Sequence, residues 1–496
     1  SPVSLQRYLE DLERQLCKIA KETEWDQFKR NNDNPEEIGQ YISALANAAA
    51  LSGKANAYLV WGVDDLTHAI VGTTVSPRTA KKGNEELESW LLHLLNPKLE
   101  FWFHEVVVDA KRVVLLEIER AARQPVQFQG VEYIRVGSYK RPLKEFPEKE
   151  RTLWRLFDRT QFEDGLAADH ITEEQVVHIL DYPAYFELVG RPLPAERGQI
   201  LAALADDRLI KSDEAGGWDV TNLGAILFAK NLAWFPSLQR KAVRVIVYKG
   251  RDRTEPEREQ VGGRGYASGF AGLVEFINGV IPSNEVIGHA LRKTVPMYPT
   301  IAVRELVANA LIHQDFFVRG AGPTIEIFAD RLEITNPGAP LVGADRVLDL
   351  PPQSRNEGLA SLMRRMGICE ERGSGIDKVV LETESFQLPA PLFEARGEAT
   401  RAVLFAHRSL EKMERADRVR SCYLHACLKY VSNDQVTNAS VRQRFGIDEK
   451  NSATASRLIK EAVESGVIAA VDPKAGKKFM RYIPWWAVPG QSPPAV

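Results

Sequence analysis

Cysteine is scarce in this chain, with four in 496 residues, at Cys17, Cys369, Cys422 and Cys427. None forms a Cys-x-x-Cys pair, so neither a zinc cluster nor a disulfide framework is expected, and the pattern suits a reducing compartment. An excess of one charge is also lacking. Lys+Arg number 64 against 67 Asp+Glu, a net charge of -3, which argues against a histone-like coat of nucleic acid and leaves only local basic faces to be sought. No apolar run approaches the ~20 residues that span a bilayer. Nothing after Ser1-Pro2 reads as a secretory leader. No internal repeat is visible. The expectation is a cytoplasmic protein with no membrane partner. Hydrophobic content of 44% and charged content of 26% are ordinary for globular domains, and the length predicts three or four domains of about 150 residues each.

Periodicity sets the organisation. Residues 5–20 read as an amphipathic helix through Leu5, Tyr8, Leu9, Leu12 and Leu16, and residues 36–50 as another with Ile38, Ile42, Leu45 and Ala49 inward. Residues 57–63 read as a buried strand, 101–119 as a strand pair broken at Asp109-Ala110, and 132–136 as a further strand. This α/β domain spans 1–147. A helical or winged-helix-like connector follows over 148–235, and a second α/β region over 236–408. Within that region 241–249 read as a strand and 251–269 as a charged, then glycine-rich loop. The last unit spans 409–488. The fold class is multidomain α+β.

In the first domain the order is Glu22, Gln27-Phe28-Lys29, Ala44 to Asn47, Trp61-Gly62-Val63-Asp64-Asp65, Ile70-Val71-Gly72 and Tyr133-Ile134-Arg135-Val136-Gly137-Ser138. The ordered set resembles the Schlafen AlbA-like domain. Some members of that wider family cut RNA with three carboxylates holding a divalent metal. The matching positions here are Glu22, Gln27 and Asp64 or Asp65, and the neutral amide of Gln27 is a poorer ligand for a hard cation. The resemblance therefore implies nucleic-acid binding rather than cleavage. Lys29, Arg30, Arg135, Lys140 and Arg141 are the expected phosphate contacts.

From Tyr298 to Phe317 a helix opens at Pro299 with Ile301, Leu306, Val307, Ala310 and Leu311 inward. Glu305, Asn309 and His313, spaced by four, share another face. This Glu-x-x-x-Asn-Ala-x-x-His pattern resembles the N box of the GHKL ATPases, an α/β sandwich family. The resemblance implies ATP and magnesium as cofactors, Asn309 as magnesium ligand and Glu305 as the residue that orients or deprotonates water. Asn336 and Gly338 stand near the first glycine box, where the family's adenine-binding Asp is replaced by Thr335-Asn336. Arg355 follows, and Gly373-Ser374-Gly375 resembles the second glycine box, whose amides cradle phosphate at a helix start.

The last unit predicts helices over 417–431 (Val419, Tyr423, Cys427 and Tyr430 inward), 436–445 and 452–465 (Ala455, Leu458, Ile459, Ala462 and Val463 inward). Strands over 467–471 and 479–483 follow. Three helices and a two-stranded wing resemble a winged helix-turn-helix. That resemblance implies that Ser452, Thr454, Ser456, Arg457 and Lys460 face DNA and that Lys474, Lys477, Lys478 and Arg481 lie on the wing, with Arg442 and Arg444 adding basic surface. The resulting expectation is a homo-oligomeric nucleic-acid-binding regulator, on DNA rather than RNA, coupled to ATP and magnesium. The alternatives are an anti-phage effector with nuclease or weak ATPase activity, and a scaffold.

Overall fold

The computed structural model describes residues 8, 9, 11, 12 and 26–490, except 65, 123, 138, 159–161, 288–291, 319, 344–345, 349–352 and 371–374. Most of the expected helix at 5–20 lies outside these. The chain divides into two compact units, one of residues 1–176 and 201–222, the other of 177–200 and 223–496. The expected connector, 148–235, is thus shared between them.

In the first unit, β1 (Asp26–Lys29) runs parallel to β2 (Asn56–Trp61), and β3 (Phe101–Val108) and β4 (Lys111–Glu119) complete a sheet of order β1-β2-β4-β3. The helix α1 (Pro35–Leu51) starts where the Asn34 side chain accepts from the amides of Glu36 and Glu37, with Pro35 in the first turn. Such a cap satisfies amides that have no partner inside the helix. The face Ile38, Ile42, Leu45 and Ala49 is buried with Phe28, Trp61, Val114 and Leu116 in one core, each large aliphatic contributing about 1.5–3 kcal/mol. Gly39 lets the helix approach Phe128, since a Cβ there would run into the ring. A second sheet pairs β5 (Val131–Val136) with β6 (Tyr139–Pro142) and two short strands. After α2 (Pro147–Asp158), the strands β7 (Leu166–Ile171), β8 (Ile210–Ser212) and β9 (Trp218–Thr221) form a sheet of order β7-β9-β8. The stretch read as mostly helical therefore carries a sheet as well. Its strands are too short and too polar to show a two-residue alternation.

The second unit is built on six strands: β10 (Val243–Tyr248), β11 (Pro256–Gly262), β12 (Thr324–Ile327), β13 (Arg331–Pro337), β14 (Leu392–Arg396) and β15 (Ala399–Phe405), in the order β11-β10-β12-β13-β15-β14. Here β11 replaces the expected loop. It is an edge strand exposed on both faces, so its residues are charged rather than alternating, and only its backbone pairing with β10 reveals it. The helices are α3 (Phe270–Val280), α4 (Thr300–Ile312), α5 (Glu357–Arg365) and α6 (Gly375–Ser385), and α4 packs on β13 and α6. In α4 Ile301 is exposed, against expectation, because it lies in the first turn beyond the packed length of the helix.

The chain ends in α7 (Arg415–Val431), α8 (Asn438–Phe445), α9 (Ser452–Glu464) and the ribbon β16 (Ile468–Ala470) with β17 (Tyr482–Pro484). Thr437 and Ser440 form a reciprocal cap on α8, and Gly446 closes it in the left-handed conformation. Cys422, Val441, Ala455, Leu458, Ile459 and Ile468 share a core. Tyr430 and Val463, expected inward, are exposed at helix ends. Arg444 is a correction too: it is buried, donates to the Leu388 carbonyl and faces Glu384 at 3.4 Å, so it adds nothing to a basic surface. Among the described residues no helix is long and apolar enough to cross a membrane.

Candidate functional site

The helix α4 begins after Pro299, in extended backbone, and ends at His313, whose amide bonds the Asn309 carbonyl. Spacing by four sets Glu305, Asn309 and His313 along one face, and all three line a cavity of about 250 Å³ in the second unit. Asn336, Ser354, Arg355, Arg364, Glu370 and Gly375 line it too, with an apolar contribution from Leu306, Ile334, Leu348, Ile376 and Phe393. The mixture suits a ligand with an apolar ring and a charged end.

The hydrogen bonds sort these side chains. Arg355 donates to the carbonyls of His313 (3.2 Å) and Ala339, and so ties the loop after β13 to the end of α4. Asn336 is buried and donates to the Pro337 carbonyl at 3.1 Å. Glu370 is paired with Lys378, and Glu394 with Arg396 and Arg401. By contrast, the side chains of Glu305, Asn309 and Arg364 make no hydrogen bond or ion pair among the described residues. Glu305 is 7% exposed. A buried polar group without a partner is costly unless something else satisfies it.

Burial pushes the Glu305 carboxyl above its ordinary range; Lys378 opposes this and Glu370 adds to it. Burial pushes His313 down, with Arg355 and Arg364 also disfavouring its cation while a backbone bond at Gln353 favours it. The Cys369 thiol, also in the lining, is pushed by burial up to about 11 and stays protonated.

Two glycines make close approaches in this region. A Cβ on Gly375, the first residue of α6, would lie 2.7 Å from Glu305 Oε2. Gly338 has φ of +101°, and a Cβ there would lie 2.8 Å from that of Asp315. Gly338 shapes the loop rather than the cavity wall; its amide bonds the Glu398 carbonyl and its own carbonyl accepts from Thr400. Gly373 and Ser374 lie outside the described residues. Among the described residues no group of three or more His, Cys, Asp or Glu is placed to hold a metal. The Asn309 amide oxygen fits a magnesium ion that takes its other ligands from phosphate and water.

In the first unit, Lys29 and Lys140 both lie over the Tyr41 ring, at 5.1 and 4.4 Å, and Lys140 pairs with Glu37 at 3.7 Å. Arg141 is exposed. Arg135 corrects the sequence reading. It is fully buried, donating to the Gln27 side-chain oxygen and at 3.4 Å to the Asp26 carbonyl, so it cannot touch phosphate. Asp64 accepts from the amides of Leu66 and Thr67 and from the Thr67 hydroxyl, bonds that hold its carboxyl below the ordinary range. It closes a turn there. Glu22 and Asp65 lie outside the described residues.

In the last unit Ser452, Arg457 and Lys460 are exposed on α9; half-buried Thr454 accepts from Arg457 at 3.1 Å. Ser456 is tied to Asn438 of α8. Lys477 and Lys478 are exposed in the turn between β16 and β17, beside an exposed Phe479. Sequence reasoning missed Arg364 and Glu370. Neither sits in a recognisable spacing, and only the tertiary structure brings them into the lining of the cavity.

Residues 22–144 match the family described as "Schlafen, AlbA_2". Residues 320–404 match the family described as "Putative ATP-dependent DNA helicase recG C-terminal", a model of the histidine-kinase-like ATPases. An AlbA-like domain and an ATPase domain of the GHKL-like family are therefore present; the second match begins after α4. Among solved structures, the DIP2311 protein from Corynebacterium diphtheriae is similar at 18% identity over 97% of both chains, with a TM-score of 0.41. The N-terminal domain of a RecG-related protein from Nitrosomonas europaea is similar at 22% identity, over 27% of this chain and 90% of that one, with a TM-score of 0.20. No curated protein matches.

Proposed function

We propose that this protein is a nucleic-acid-binding regulator whose grip on DNA is set by ATP and magnesium in the cavity of the second unit. One observation carries the reading: the side chains of Glu305 and Asn309, one helical turn apart, face that cavity without a hydrogen bond or ion pair among the described residues. Paired structural groups would satisfy each other; these are left for a ligand. Magnesium, when bound, would neutralise phosphate charge, with Asn309 supplying one oxygen. Buried Asn336 faces the base end with an amide that can donate and accept. The AlbA-like domain, with Lys29, Lys140 and Arg141, and the terminal unit, read as a winged helix with Arg457, Lys460, Lys477 and Lys478, supply phosphate contacts at two places on the chain.

The test is titration calorimetry with a non-hydrolysable ATP analogue and magnesium, followed by DNA binding with and without it. Binding to the wild type, lost at least tenfold in Asn309→Ala, together with a change in DNA affinity, is the expected result. A wild type that binds the analogue no better than Asn309→Ala sinks the reading.

Slow hydrolysis is a second reading, favoured by the buried Glu305, which has no side-chain partner among the described residues. A carboxylate held above its ordinary pKa is a better proton acceptor from water. Glu305→Gln should then bind ATP as the wild type does and release no phosphate.

A further inference from the structure

Besides Glu305 and Asn309, the cavity holds a cation with no hydrogen bond or ion pair among the described residues. Arg364 stands in the last turn of α5, half-buried, and lines the cavity. Its guanidinium makes no hydrogen bond or ion pair among the described residues, although Glu305 and Glu370 line the same cavity. His313, at the end of α4, and Cys369 line the same cavity. A basic residue in a last turn can simply complement the helix dipole. The neighbouring Arg365 is exposed and serves that purpose; Arg364 is turned to the cavity instead. The other arginine of the lining, Arg355, is committed to two carbonyls.

We infer that Arg364 binds a phosphate group of the nucleotide. The inference rests on the ATP reading above and adds to it the side chain that recognises the anionic end. A guanidinium offers a planar fork that matches two oxygens of one phosphate. With no partner among the described residues, a half-buried guanidinium loses hydration for no return, a loss that an incoming phosphate reverses. The acids nearby do not cancel it. Glu370 is held by Lys378, and burial favours the neutral form of Glu305.

The experiment is calorimetric binding of ATP, ADP and adenosine to the full chain, wild type against Arg364→Ala, Arg364→Gln and Arg364→Lys, with melting curves to show that each is folded. ATP and ADP should weaken at least tenfold in the Ala and Gln variants, about 1.4 kcal/mol, with partial recovery in the Lys variant. Adenosine, which has no phosphate, should be bound as by the wild type. A structural role for Arg364 would lower all three ligands together, and that result overturns the inference, as does unchanged ATP binding. If the wild type binds no nucleotide, the ATP reading falls and this assignment with it; if it binds ATP but the variants keep its preference over adenosine, only the assignment falls.

Discussion

The guanidinium of Arg135 donates to the side-chain oxygen of Gln27 in the core of the first unit, joining β5 to β1. The residue expected to meet phosphate and the residue that weakens the carboxylate triad thus serve each other. Arg135→Ala should destabilise the first unit by roughly 3 kcal/mol, since it leaves a buried amide oxygen short of its donor and a void. Hydrogen exchange along β5 would show it. Weaker DNA binding with unchanged exchange would restore Arg135 as a surface contact.

Gly375 and Glu305 are in close approach across the cavity. Gly375→Ala should leave the fold intact, because the obstructing atom is the end of a flexible side chain. It should push the Glu305 carboxylate aside and lower any ATP turnover about tenfold or more. A phosphate-release assay beside a melting curve decides this; full turnover in the Ala variant counts against Glu305 as the base.

Asp219 lies buried in β9, accepting from the His170 amide at 3.0 Å. Burial first, with Asp213 and Asp169 adding, pushes its carboxyl up from 3.8 to about 6, against the pull of Lys211. A carboxyl raised in the folded state gives most stability below its unfolded pKa and loses it as pH rises through the folded one. The first unit should therefore weaken by up to about 3 kcal/mol between pH 4 and 7. Asp219→Asn, which keeps the acceptor, should remove most of that slope in hydrogen exchange measured at several pH values. An unaltered slope assigns the effect elsewhere, Asp169 being the next raised carboxyl.

Lys477 and Lys478 are exposed on the terminal ribbon. Replacing both with Ala should weaken DNA binding and reduce the slope of log affinity against log salt by roughly 2, near 0.9 per phosphate contact. Arg444→Ala should instead destabilise the helices without a specific change in that slope, since Arg444 is buried. A slope unchanged by the double Lys variant removes the ribbon from the interface.

Arg346 lies over the Trp486 ring at 4.9 Å, and Leu348, a cavity residue, packs on the cluster that contains Trp485. Trp486→Ala should leave ATP and DNA binding each close to wild type while shrinking the effect of one on the other. An unchanged coupling energy in a two-ligand titration argues that the link runs elsewhere.

Sequence by itself determined the elements with strong local signals. The helix α1 was legible from its repeat of Ile38, Ile42 and Leu45, the pair β3 and β4 from the break at Asp109-Ala110, and the face of Glu305, Asn309 and His313 from spacing by four. Those features depend on residues close along the chain, where periodicity acts. What the tertiary structure decided depends on residues far apart. Arg135 reads as a surface cation until β1 is set beside it, β11 reads as a loop until β10 offers its backbone, and Arg364 goes unread until the fold brings it to the cavity. Burial and pairing are properties of neighbours in space, and a single strand of sequence carries neither.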